Sequence, residues 1–303
     1  MPIAGIFISE TAFGITSALC AGKNSLRLET LPCGKSDERG SKTMTISTGL
    51  LGNQWYLKNR LPCRWVRVDL QPRDVRLLKT LFEQKFLSRE QIRDHFFDGR
   101  KRYCDDRVWK LRRFGWIEKL NAVFAGRQLY VATKAAYKFF CEQSEDVPQP
   151  FEIPDFRTVS HDLLVTDIRF LFERIGFGMP WISERVRRMG NAASHWAPDA
   201  LIHIEGDPYA LEIECTQKTD ARYHEIFWRY NYDQSIAACL YVTEENLLNT
   251  LLERAKDFTD IYFTSTAELF EKKEKAEFRN AQGKILAIED NLEKSLSKSD
   301  QPQ

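Results

Sequence analysis

Apolar residues begin to recur at three- and four-residue spacing at about residue 68. In "QPRDVRLLKTLFEQKF", Val75, Leu77, Leu78, Leu81 and Phe82 fall on one helical face. Pro72 suits the first turn, where the N–H it lacks has no helical partner. In "LSREQIRDHFF" Ser88 stands at the N-cap with Gln91 three residues later, a pairing that satisfies two free N–H groups at a helix start. "GRKRYCDDRVWKLRRFGW" predicts a third helix closed by Gly115. "WIEKL" and "RQLYVAT" then alternate as two strands around a loop containing Gly126. A further short helix, "KAAYKFFCEQ", follows. Three helices and a two-stranded wing predict a winged-helix module over residues 64–143.

"SEDVPQPFEIPDF", rich in proline and acid, reads as a linker over 144–156. Residues 157–268 then alternate between the two periods. "HDLLVTDIRFLFERIG" is an amphipathic helix, "WISERVRRM" a strand of high charge, and "PDALIHIEGDPYALEIECTQK" a hairpin about a turn at 205–208. "TDARYHEIFWRYNYDQSI" is helical, "AACLYVT" a fully apolar strand, "EENLLNTLLERAKDF" a helix and "IYFTSTAELF" a last strand. The order is α-β-β-β-α-β with an added αβ pair, so the fold class is α/β, α+β overall. Residues 269–303 predict a charged C-terminal helix and tail, too sparse in apolar positions for a heptad. Residues 1–63 show little periodicity and read as a loosely ordered extension, with Met44 a candidate internal start.

The net charge of +1 conceals a division. Residues 64–140 hold 19 Lys and Arg against 9 Asp and Glu, whereas residues 141–303 hold 18 against 30. A basic module joined to an acidic one points to a polyanion-binding half and a half that manages its own carboxylates. No apolar run reaches membrane-spanning length, and the N-terminus lacks a basic region before its apolar stretch. Seven cysteines without a CxxC pair suit a reducing cytoplasm better than a disulfide framework or structural zinc.

The hairpin carries the candidate chemistry. Glu212 and Glu214 project to one side of their strand, and Asp199 begins the neighbouring strand across the turn. Two or three carboxylates completed by water and phosphate are what Mg²⁺ (or Mn²⁺) takes. Lys218, four residues on, is placed to offset phosphate charge. Alternation alone fits equally a solvent-facing side opposite a core of Leu211, Ile213 and Cys215. The Pro198–Asp199 pair, the hairpin and the following "TQK" favour the metal site.

This spacing resembles the PD-(D/E)xK nuclease superfamily, with Pro198-Asp199 and Glu212-Ile213-Glu214 as its motif and Glu214 where lysine is usual. The winged helix, "HDLLVTDI", "PDALI" and "ALEIECTQKTDARY", over about 68–265, is similar to the replication-relaxation family and its MobC-type plasmid mobilisation relaxases. The resemblance implies recognition and nicking of double-stranded plasmid DNA at a transfer origin, with relaxosome or coupling proteins as partners. Asp199 and Glu212 would hold the metal, Glu214 orient or deprotonate water, and Lys218 steady the phosphate or merely line its path.

Among secondary candidates, His161 reads as a cap or polar core residue rather than a base. Glu184 reads as an ion-pair partner of a neighbouring arginine rather than a third ligand. Arg222 fits a phosphate contact or a surface pair equally. Tyr223 and Tyr230 fit packing better than nucleophilic attack. In the third helix Lys101, Arg102, Arg107, Lys110, Arg112 and Arg113 predict a DNA-reading face, with Asp105 and Asp106 pairing locally with Arg102 or Arg113. Three functions follow: a nicking enzyme, a non-catalytic relaxosome or replication accessory protein, and a dimeric restriction-type endonuclease.

Overall fold

The computed structural model describes residues 68–292 apart from 125, 152–153 and 191–196. The expectations for the 1–63 extension and for the C-terminal tail beyond 292 lie outside the described residues. The first elements are α1 (Pro72–Glu83), β1 (Leu87–Ser88), α2 (Arg89–Phe96), α3 (Lys101–Arg113), β2 (Ile117–Phe124), β3 (Arg127–Ala132) and α4 (Lys134–Glu142). Local chemistry explains their ends. Ser88 Oγ accepts from Gln91 N at 3.1 Å while Gln91 Oε1 accepts from Ser88 N at 2.9 Å, closing the predicted capping box of α2. After α3, Gly115 takes φ +76, and Trp116 N reaches back to Leu111 O at 2.9 Å. β1, between α1 and α2, adds a third strand in the order β1-β3-β2, all antiparallel.

The second half is a seven-stranded mixed sheet in the order β10-β9-β8-β7-β6-β5-β4. Its elements are α5 (Val159–Ile175), β4 (Trp181–Ser183), α6 (Glu184–Gly190), β5 (Ala200–Ile204), β6 (Asp207–Glu214), α7 (Asp220–Tyr232), β7 (Ala238–Thr243), α8 (Glu245–Arg254), β8 (Ile261–Ser265), α9 (Thr266–Lys272), β9 (Glu277–Arg279) and β10 (Ile285–Ala287). β6, β7 and β8 run parallel and the remaining pairs antiparallel. All six residues of β7 are buried, as its apolar run predicts for a central strand. One core lies between the sheet and α5, around Ile168, Phe172, Leu211 and Val242. The other lies under α7 and α8, around Tyr223, Phe227, Tyr241 and Phe263.

Two expectations are corrected. "WISERVRRM" is a strand for three residues only; from Glu184 its four charges wind into α6, where Glu184 pairs with Arg188 and Arg185 donates to the Phe82 and Gln149 carbonyls instead of facing a sheet. The charged segment from 269 is no long helix either. After α9 and a 3-10 turn (Lys273–Lys275), its sparse apolar residues form the β9–β10 hairpin about Gly283 at φ +80, burying Phe278.

Within the 144–156 linker Val147 is buried and Phe151 packs against Phe86. Helix α5 belongs to both halves. Phe170 enters the N-terminal core, and Val159 and Leu163 pack with Phe86, Leu129 and Val131. Its polar residues are matched across the boundary. Arg169, 9% exposed at its side chain, binds Glu83 at 2.6 Å and Glu173 at 2.7 Å. Gln91 Nε2 donates to Leu163 O at 2.9 Å and to Asp167 Oδ1 at 2.8 Å.

Removing Arg169 leaves Glu83 without its cation and Glu173 with His95 alone. Arg169→Ala is therefore expected to cost about 3 kcal/mol in urea unfolding. Lys79→Ala, which deletes an exposed pair with Glu145, should cost less than about 1 kcal/mol. Equal costs would show that the boundary ion pairs carry no special weight.

Candidate functional site

Two surfaces hold the residues singled out in the sequence. On α3, the buried stripe Cys104, Val108 and Leu111 leaves Arg102, Tyr103, Asp106, Trp109, Lys110 and Arg113 outward at helical spacing. Lys101, Arg102, Lys110 and Arg112 are exposed. Arg113 lies 5.0 Å from the centre of the Trp109 ring. Tyr103 and Trp109 are 69% and 52% exposed, so bases or sugars approaching this basic face would meet aromatic surface as well as charge.

Arg107 departs from the expectation. It lies beside the buried stripe, where Nε donates to Asp74 Oδ1 at 3.0 Å and Nη2 to Asp69 O at 2.8 Å. Asp74 is fully buried, and a buried carboxylate needs a partner. Arg107 is thus a structural cation of the N-terminal core and faces away from any ligand of α3. Asp105 pairs with Arg89, from α2, in place of Arg102 or Arg113.

The second surface is the β5–β6 hairpin. The turn residues Glu205 and Gly206 both take positive φ, 55° and 99°, and this two-residue turn sets the antiparallel register in which Ala200 faces Leu211. One step further along, that register sets Asp199 opposite Glu212. Alternation then sends Leu211 and Ile213 into the α5 core and Glu212 and Glu214 under α7. Neither face is bare: Glu214 is 3% exposed.

Each carboxylate has a protein partner. Asp199 Oδ2 accepts from Ile213 N at 2.8 Å and from His161 Nε2 at 3.2 Å. Glu212 accepts from the Tyr230 hydroxyl, and Glu214 from Lys218 Nζ. Burial and the neighbouring charge of Asp199 push the Glu212 carboxyl up to about 8 against a partial opposing effect of the Tyr230 hydrogen bond. Burial pulls His161 down, but the Asp162 carboxylate 3.7 Å from Nδ1 and the hydrogen-bonded Asp199 outweigh it and hold the imidazole at about 11. His161 is therefore a cation at neutral pH. Its Nε2–H is shared between Asp199 and Ile213 O, at 3.1 Å, and it has no lone pair with which to act as a base.

The remaining candidates are dispersed. Glu184 opens α6, paired with Arg188 at 2.8 Å, and its backbone N donates to Asp199 O at 3.1 Å. Arg222 pairs with Glu225 at 2.7 Å on the half-exposed side of α7. Tyr223 and Tyr230 are buried, with burial pushing both phenols up. The Tyr223 hydroxyl accepts from Lys218 N at 3.0 Å. Missed by the sequence reading are Lys85 and Asp162, joined at 2.7 Å beside His161. Nothing in "EQKFLS" marks that lysine.

Among the described residues no three His, Cys, Asp or Glu side chains gather as a closed metal cage. Mg²⁺ does not require one, since one or two carboxylates with water and a substrate phosphate complete its shell. Asp199 opposite Glu212, a carboxyl that burial and then the Asp199 charge hold above its ordinary range, fits such a cation. The chain matches no protein-family model, no curated protein and no solved structure. Among the described residues no helix is long and apolar enough to cross a membrane.

Two outcomes are expected. Arg107→Ala should lower stability by about 3 kcal/mol by stranding Asp74. If the α3 face binds DNA, the folded variant should keep its affinity, whereas Arg102→Ala with Lys110→Ala should weaken that binding and reduce its salt slope by about 2; anisotropy titrations and urea melts separate the two.

The second concerns pH. Glu212 ionises near 4.5 when unfolded and near 8 when folded, so the stability its proton supplies is full below pH 4.5 and is lost as pH rises through 8. His161 acts with the same sign, full below 6.5 and lost as pH rises through about 11. Glu212→Gln should flatten the fall in urea midpoint between about pH 5 and 9 and exceed the wild type at the alkaline end. A variant as steep as the wild type would remove Glu212 from this account.

Proposed function

We propose that the protein is a metal-dependent, site-specific DNA-nicking endonuclease of plasmid mobilisation. In this reading the N-terminal half is a winged-helix recognition module and the sheet a PD-(D/E)xK-type nuclease. The observation that carries it is the juxtaposition of Asp199 and Glu212, set opposite each other by the hairpin register and close enough for the charge of Asp199 to raise the Glu212 carboxyl. The outward basic and aromatic face of α3 supports DNA as the partner. The transfer origin as target rests on the resemblance to the replication-relaxation family.

Asp199 and Glu212 would hold the divalent cation, which when bound supplies polarisation of the phosphoryl oxygen and an acidified water. The chain's own residues prepare that place. Ile213 N and His161 fix one oxygen of Asp199, and Tyr230 fixes one oxygen of Glu212, leaving an oxygen of each for a ligand. Glu214, oriented by Lys218, directs the attacking water; the Lys218 ammonium, 40% exposed, steadies phosphate charge. The water oxygen forms the new bond to phosphorus as one of its protons passes to Glu214, the bond to the 3′ oxygen breaks, and that oxygen takes a proton from solvent. The products are a 5′-phosphate and a 3′-hydroxyl. Burial of Tyr223 and Tyr230 favours water over a covalent tyrosine adduct.

A second reading, a non-catalytic relaxosome accessory protein, is favoured by one fact: all three carboxylates already have side-chain partners. A supercoiled plasmid bearing the mobilisation region, incubated with Mg²⁺ or Mn²⁺, decides between them. The nicking reading expects conversion to open circle, abolished by EDTA and reduced at least 100-fold by Asp199→Asn or Glu212→Gln, with DNA affinity unchanged. Tight binding without cleavage would establish the accessory role, and linear product a double-strand cutter.

A further inference from the structure

Lys85 lies between α1 and β1 in the N-terminal half, with a left-handed backbone at φ +73. Its ammonium crosses to the sheet domain, 2.7 Å from Asp162 Oδ1 on α5 and 3.8 Å from Glu184 Oε2 on α6. Lys85, Asp162, Ser183, Glu184, Arg185 and Asp199 line one cleft between the halves. Glu83 lines it as well, so any phosphate at the mouth of this narrow cleft approaches four carboxylates, Glu83, Asp162, Glu184 and Asp199, and is repelled unless a cation meets it.

The neighbouring cations are engaged elsewhere. Arg185 donates to Phe82 O and Gln149 O. Arg188 holds Glu184, and His161 bridges Asp162 and Asp199. Lys218, which the nicking reading sets at the phosphate, pairs with Glu214 on the α7 side and is not among the residues that line this cleft. Lys85 is 24% exposed, and its ammonium carries three donors of which Asp162 takes one at short range.

We propose that Lys85 contacts a DNA backbone phosphate at this cleft, so that the recognition half donates a residue to the cleavage site. Its catalytic part rests on the nicking reading of Asp199 and Glu212; the phosphate contact does not. The arrangement makes the site composite: the half that selects the sequence also supplies charge where the strand is cut.

The test uses the full chain as wild type, Lys85→Met, Lys85→Arg and Glu212→Gln. Three quantities are read: Mg²⁺-dependent nicking of the supercoiled plasmid, the salt slope of binding to a fluorescein-labelled duplex from the same region without divalent cation, and the thermal midpoint. Methionine keeps the length and the backbone strain while removing the charge. The expected result is nicking about 100-fold slower in Lys85→Met, largely restored in Lys85→Arg, and a salt slope smaller by about 1, with the protein folded at assay temperature. Wild-type nicking and slope in Lys85→Met would overturn the proposal, as would a loss that merely follows a lowered thermal midpoint and is not restored by arginine. If the wild type and Glu212→Gln alike fail to nick, the nuclease reading falls on its own. The salt slope then decides: a reduction upholds the phosphate contact and an unchanged slope removes it.

Discussion

Helix α5 is buried on both sides, and most of the rest follows from how that burial is achieved. Its apolar residues divide between the sheet core and the N-terminal core, so neither half can release it without exposing a face of the other. A helix so enclosed still carries Asp162, Asp167, Arg169 and Glu173, and burying those charges is tolerable only when each meets a partner. The partners come from the opposite half: Lys85, Gln91, Glu83 and His95. Directional polar contacts within an apolar boundary fix one register between the halves, where apolar packing alone would admit several.

The legible parts of the fold are those set by neighbours in sequence. α1, α2 and α3 follow from apolar period and caps, the β5–β6 hairpin from its turn, and β7 from six consecutive buried positions. What misled was composition read as conformation. "SERVRRM" is flanked by strand-like residues, yet four charges in six positions suit a helix surface better than a sheet. The Lys- and Glu-rich segment beyond 269 has helical composition, but Phe278, Ile285 and Ala287 together with Gly283 specify a short hairpin. Arg107 shows the same error in one residue. Counted as one more cation of a basic helix, it stands one position before Val108 and four before Leu111, on the inward side, and that spacing was readable.

The candidate site divides in the same way. Opposition of Asp199 to Glu212 is a local consequence of a two-residue turn and strand alternation, so sequence suffices for it. Tyr230 under Glu212, His161 on Asp199 and Lys85 on Asp162 are separated by 18, 38 and 77 residues. Their meeting depends on tertiary packing, and no local pattern encodes it. The sequence reading allowed Glu212 and Glu214 a solvent-facing side because alternation cannot tell whether a helix covers a strand face; α7 does.

The sheet ends in two strands of three residues, β4 and β10. An open edge is a template on which a second chain can add a strand, and its danger grows with the length of backbone it presents. Here seven strands narrow to stubs at both margins, and Lys284 borders one of them. Two molecules brought side by side would thus meet through side chains rather than by merging their sheets.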